Sequence, residues 1–185
     1  MNVNNVTTKN VTGLTVNTTY YFRAGPLNLA DAPNFGTAAL STSTLVSATP
    51  ALLAQTFVGV FQTSVTAAWA AMPQTPRSAS AAGYVLEASS TNFGAAAPGG
   101  ALVSSRTYER AASTLTVWTP ALASDTTYYF RAAGLNANGV PGPYAILGAT
   151  ATLIAQSPAL VSPAFRGVFE SSITAAWAAM GVNGY

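Results

Sequence analysis

Few side chains in this sequence can take part in proton transfer or covalent chemistry. The carboxylates are Asp31, Glu87, Glu109, Asp125 and Glu170, and there is no histidine and no cysteine. General acid–base and nucleophilic catalysis need titratable groups that converge on one reacting atom. These five fall in five separate runs of sequence. Without imidazole or thiol, zinc sites of the usual ligand types, His-based triads and thiol nucleophiles are excluded. Asp31, in a loop of Pro, Asn and Gly, lacks the further Asp and Asn ligands a calcium loop requires. Glu109 and Arg110 adjoin and read as solvated charge at a turn. Asn17 and Asp125 each precede Thr-Thr-Tyr, a setting in which Asx side chains bond nearby backbone. The expectation is a protein that is not an enzyme, with no cofactor and no metal. Asn5, Asn10 and Asn17 fit the N-glycosylation acceptor pattern. A chain this rich in Asn and Thr makes such matches by chance; a surface glycan is expected on Ser or Thr instead, with no site assigned.

The charge itself is sparse. Seven Lys+Arg against five Asp+Glu give a net +2, and charged residues are 6% of 185, against roughly 25% in an average soluble domain. Single scattered basic residues make no electrostatic footprint for nucleic acid or anionic lipid. Residues 32–72 carry no charge at all, but Thr, Ser, Gln, Asn and Pro break the stretch every few residues. No run approaches the ~20 apolar residues of a spanning helix. Met1-Asn-Val-Asn-Asn-Val lacks the basic and apolar regions of a signal peptide. With 50% hydrophobic residues the chain can build a core. Its Thr/Ser/Asn/Ala-rich surface suggests an extracellular or cell-surface setting of bacterial type.

The elements that would position any site come in duplicate. Thr18-Thr-Tyr-Tyr-Phe-Arg-Ala24 recurs at 126–132, Phe57-Val-Gly-Val-Phe61 recurs as Phe165-Arg-Gly-Val-Phe169, and Ser64-Val-Thr-Ala-Ala-Trp-Ala-Ala-Met72 recurs at 172–180 with one Val-to-Ile change. Each pair is 108 residues apart. Solenoid repeats are shorter, and 108 residues is the size of a small domain.

Within the repeats, apolar residues alternate with period two, the mark of half-buried strands. Tyr128, Phe130 and Ala132 share a face opposite Tyr129, Arg131 and Ala133. Val65, Ala67 and Trp69 share another, as do Tyr84, Leu86 and Ala88 opposite Val85 and Glu87. Gly/Pro/Asn/Ser clusters at 73–83, 91–100 and 136–143 separate the runs, and 78–82 is too short to hold a helix alone. The pattern predicts seven strands in the middle of the chain: A near 57–61, B at 64–71, C at 83–89, C′ at 101–106, E at 113–119, F at 126–135 and G near 145–151. Short strands with turns between them make an antiparallel β-sandwich or barrel.

This arrangement resembles the fibronectin type III family. Trp69, and again Trp177, sits on the second strand with an apolar residue two before it, and Tyr84 opens the third. Leu14/Tyr20 and Leu122/Tyr128 keep a six-residue spacing that resembles the tyrosine corner. Asn136-Ala-Asn-Gly-Val-Pro-Gly-Pro143 resembles the family's F–G turn. The resemblance implies an all-β, immunoglobulin-like antiparallel sandwich with A, B and E facing C′, C, F and G. In the first repeat Thr7, Lys9 and Val11 replace Leu115, Val117 and Thr119, so the first E strand is expected in a shifted register or unpaired.

Residues 1–48 match strands E, F and G of one repeat, 49–156 a complete domain, and 157–185 strands A and B of a further repeat. A lone hairpin is marginal in water and leaves open edges. Either the sequence is a window of a longer tandem array, or its partial repeats are completed by other copies. In the second case the A–B tail of one chain pairs with the E-F-G head of the next by strand addition, a head-to-tail homopolymer. The residues expected at such contacts are Tyr21, Arg23, Phe165, Val168, Phe169, Ile173 and Trp177. The expected role is a structural subunit of an extracellular filament or surface assembly. The alternative is a spacer or ligand-binding accessory module of a larger secreted enzyme or adhesin, for which Trp118 is the outward Trp candidate.

Overall fold

The computed structural model describes residues 8–94, 101–155 and 157–179. Its middle is a sandwich of two antiparallel sheets. One has the order β3 (Ala51–Val60), β4 (Val65–Ala70), β7 (Thr114–Val117); the other has β6 (Leu102–Thr107), β5 (Gly83–Ser89), β8 (Thr127–Leu135), β9 (Pro141–Ala151). These are A-B-E facing C′-C-F-G, the fibronectin type III order. The alternating residues meet between the sheets. Val65, Ala67 and Trp69 from B face Tyr84, Leu86 and Ala88 from C and Tyr128, Phe130 and Ala132 from F, all buried. Trp69 lies 5.5 Å from the Tyr84 ring, and its Nε1 donates to the Ala112 carbonyl at 3.2 Å.

Two strands are longer than the sequence pattern predicts. Strand A begins at Ala51, and its register with B breaks between Leu52 and Phe57 and again before Gly59. Those bulges turn the strand toward the other sheet, where Thr56 Oγ1 donates to the Leu147 carbonyl and Phe57 meets Phe130 edge-on at 5.2 Å. Strand G begins at Pro141, a first-residue position that costs no interior ladder bond.

The repeat is visible in the backbone as well. β10 (Leu160–Val168) and β11 (Ile173–Trp177) pair as Leu160↔Trp177, Phe165↔Ala175, Gly167↔Thr174 and Val168↔Ile173, with both register breaks of the A–B pair at the same offset. β1 (Thr19–Phe22) and β2 (Leu40–Ser43) form the F–G pair of the first repeat. Both tyrosine corners are present. The phenol oxygen of Tyr20 accepts from Thr15 N at 2.8 Å, and that of Tyr128 from Ala123 N at 3.0 Å. Residues 8–12 form no strand and Val11 is exposed, so no first E strand stands among the described residues; Thr7 and Asn5 lie outside them. Met180 to Tyr185 and most of the 91–100 turn also lie outside.

Candidate assembly surfaces and the junction between repeats

The E–F turns place Asn17 (φ 48°) and Asp125 (φ 50°) in the left-handed region that Asx residues tolerate. Both close alike, with Asn17 N donating to Leu45 O at 3.0 Å and Asp125 N to Leu153 O at 3.2 Å. The side chains then part company, which corrects the expectation of purely local bonding. Asn17 is buried, and its Nδ2 donates to the carbonyls of Arg77 (3.0 Å) and Ser80 (2.7 Å), more than fifty residues away on the B–C loop of the next repeat. Asp125 is exposed, and a carboxylate has no hydrogen with which to make such bonds. Asn17 Oδ1 is buried with no partner among the described residues, beside a cleft of ≈ 110 Å³ lined also by Arg77, Ser80 and Arg110. Arg110 is more than solvated charge. It donates to Gln74 O, Ala81 O and Ser80 Oγ and ties down the same B–C loop.

The connection between the repeats completes this junction. Val46 is 1% exposed and belongs to the core of the middle sandwich. Two glycines let it in. A Cβ at Gly142 would stand 2.6 Å from the Val46 carbonyl oxygen, and one at Gly134 would meet Met72 Sδ at 2.9 Å and Ala81 Cβ at 3.0 Å. The F–G turn closes over it. Asn136 N donates to Val140 O, and Asn136 Oδ1 accepts from Asn138 N and Val140 N. Asn136 Nδ2 is left to donate to Ser43 O (2.9 Å) and Thr44 O (3.3 Å). Sequence reading missed Val46, Gly134 and Gly142. The available signal was the Pro-Gly-Pro run that ends the turn motif.

The outer face of the C′-C-F-G sheet carries a second built feature. Arg131 pairs with Glu87 (Nη2–Oε2 2.7 Å, Nε–Oε2 2.8 Å), and its guanidinium lies 4.0 Å from the Phe93 ring centre and 4.1 Å from that of Tyr144. Tyr144 Oη donates to Glu87 Oε1 at 2.9 Å. Burial, helped by the Glu87 carboxylate, pushes the Tyr144 phenol up to about 12. Arg131 therefore stacks across strands, on Phe93 and Tyr144, and forms a closed network.

The residues expected at assembly contacts fall on two separate hairpins. Tyr21 on β1 is exposed, and Arg23, just beyond it, stacks on Phe35 at 4.7 Å. Phe165, Val168, Ile173 and Trp177 lie on β10–β11, with Phe169 in the turn, and all five are exposed. Trp177 is 61% exposed where Trp69 is 0%, and Ile173 65% where Val65 is 0%. Trp118 also faces outward. Among the described residues no group of three or more acidic side chains could hold a metal ion, and no helix is long and apolar enough to cross a membrane.

No family model and no curated protein matches the chain. Similar solved structures include the FN1–FN3 domains of chicken CNTN1 (12% identity, TM-score 0.48, covering 76% of this chain and 45% of that one). Domains A168–A170 of titin are another (18% identity, TM-score 0.39, covering 72% and 49%). The chain thus spans under half the length of each.

Proposed function

We propose that the chain is a structural, non-catalytic subunit of an extracellular filament or cell-surface assembly. Its partial end repeats are completed by neighbouring repeats or chains through strand pairing. One observation carries the reading. The β10–β11 hairpin reproduces the A–B register of the middle sandwich, yet Ile173 and Trp177 are exposed where Val65 and Trp69 are fully buried. In the middle sandwich the missing cover is β7, which pairs with β4 as Val65↔Val117 through Ala68↔Thr114, together with the opposing sheet. An equivalent partner would remove Ile173 and Trp177 from water, worth about 1.5–3 kcal/mol each by area. Sparse charge suits surfaces covered by other copies, because charged residues are depleted in interface cores.

The test is an image of the native assembly at side-chain resolution. The expected result places residues 165–179 against residues 14–28 of a neighbouring repeat or copy. Residues 165–179 lying against solvent, or against an unrelated protein, would refute it.

A further inference from the structure

We infer that the Asn138–Gly139 step is a site of chemical modification, and that its conversion to isoaspartate releases the junction between the first two repeats. Asn138 is exposed in the F–G turn of the middle repeat, and Gly139 follows it with φ 73°. The reaction needs only water. The Gly139 backbone nitrogen attacks the side-chain carbonyl carbon of Asn138; the N–Cγ bond forms, the Cγ–Nδ2 bond breaks and ammonia leaves. Water then opens the succinimide ring at one carbonyl or the other, giving aspartate or isoaspartate. Glycine, with no Cβ, leaves the attacking nitrogen unhindered. The turn also demands glycine here, because φ is positive and a Cβ would stand 2.8 Å from Tyr108 Oη. At the same offset the head's turn has Ala30–Asp31, with no side-chain amide to attack.

The closed turn restrains the step. The attacking nitrogen must give up its hydrogen, and Gly139 N donates that hydrogen to Asn136 O at 2.9 Å. On either side, Asn138 N and Val140 N donate to Asn136 Oδ1 at 3.0 and 2.9 Å, and Arg106 Nη1 donates to Gly139 O at 3.0 Å. The reaction therefore runs from the opened turn. Asn136 links that turn to the junction. It is 1% exposed, and its Nδ2 donates to Ser43 O and Thr44 O. Isoaspartate carries the main chain through Cβ and Cγ, one atom longer, so Gly139 N and Val140 N cannot both return to Asn136. Asn136 then loses the bonds that aim its amide at the linker. An opening that is reversible in the unmodified chain becomes permanent.

The test follows residue 138 by peptide mass spectrometry in the whole chain at neutral pH, with the urea-unfolded chain giving the intrinsic rate. The folded chain should react about tenfold to a thousandfold more slowly, the worth of one to four hydrogen bonds. Asn136→Ala should bring the two rates together. Should that variant fail to fold, Arg106→Ala, which removes only an exposed side chain's bond to Gly139 O, should still raise the folded rate a few-fold. Chains carrying isoaspartate at 138 are then separated and their amide exchange in residues 40–50 is compared with that of Asn138→Asp, which has the same charge on an ordinary backbone. The isoaspartate chains should exchange faster, and incubated Asn138→Gln chains should keep full protection. A folded rate equal to the unfolded one, or no conversion of the folded chain, overturns the inference. So does isoaspartate that leaves exchange in 40–50 as it is in Asn138→Asp.

Discussion

Gly142 offers a direct way to ask whether the first two repeats are rigidly joined. In Gly142→Ala the new methyl carbon would lie 2.6 Å from the Val46 carbonyl oxygen, 3.0 Å from Val46 Cβ and 3.2 Å from Val46 C. Non-bonded carbon contacts are comfortable near 3.5–4.0 Å, so the shortfall is about 1 Å. Two of the three atoms it meets are backbone, so no rotamer change relieves it. Either the sandwich strains or residues 44–50 lift away. Lifting exposes Val46, about 1.5–3 kcal/mol, and breaks the Asn136 bonds to Ser43 and Thr44, about 1 kcal/mol each. The junction therefore loses up to about 3.5–5 kcal/mol while the two sheets of the middle sandwich keep their own ladders. Hydrogen exchange should show faster exchange in 40–50 and at the Asn136 turn, with β4, β5 and β8 unchanged. Gly36→Ala is the control, since nothing lies within 4 Å of its added Cβ. Unchanged protection in 40–50 would refute the reasoning, as would equal loss across β4, β5 and β8.

The outer-face network makes two further predictions. Glu87→Gln removes the charge from a pair whose carboxylate side chain is only 12% exposed. It strands the Arg131 guanidinium between Phe93 and Tyr144, and should cost about 2 kcal/mol in urea unfolding; a loss under about 0.5 kcal/mol would contradict the network. The Tyr144 phenol, at about 12 against an ordinary 10.0, keeps its proton in the fold after the unfolded chain has lost its own. Its contribution is intact below pH 10 and falls as pH rises from about 10 to 12, by about 1 kcal/mol after allowance for solvent screening. Tyr144→Phe should flatten that part of the unfolding-versus-pH curve, and an unaltered slope would remove Tyr144 as its source.

The sandwich was legible because its inward residues alternate strictly and its turns are marked by Gly, Pro and Asn. Strands B, C, C′, E and F fall within two residues of their predicted ends on that signal alone. Strand A was half hidden. Ala-Leu-Leu-Ala-Gln-Thr before Phe57 has no period-two pattern, because bulges carry it from one sheet toward the other. Alternation placed Val85, Glu87 and Ala133 on the face opposite the inward residues, where Leu135 also lies. They are buried because Val85, Ala133 and Leu135 cluster under Tyr144, while Glu87 is sealed by Arg131. Cover of that kind comes from residues distant in sequence. The junction was least legible. Asn17 and Asp125 occupy the same turn before the same Thr-Thr-Tyr, and only the presence of a docked B–C loop separates a buried clasp from an exposed carboxylate.

The paired hairpins separate what local sequence decides from what a neighbour decides. β3–β4 and β10–β11 share four paired positions and both bulges at a fixed offset. The first is covered by a third strand and an opposing sheet, and among the described residues the second is not. Register and bulges therefore follow from the hairpin's own residues, whereas burial of Trp69 but not Trp177 follows from the partner. A hairpin already shaped for its partner loses little conformational entropy when that partner arrives, so more of the gain from burying Ile173 and Trp177 survives as affinity. The same ordered, apolar, weakly charged edge is a hazard when unpaired. On the proposed reading that hazard is the working surface. The internal junction is closed by comparison, since Gly134 and Gly142 permit a dry seat for Val46.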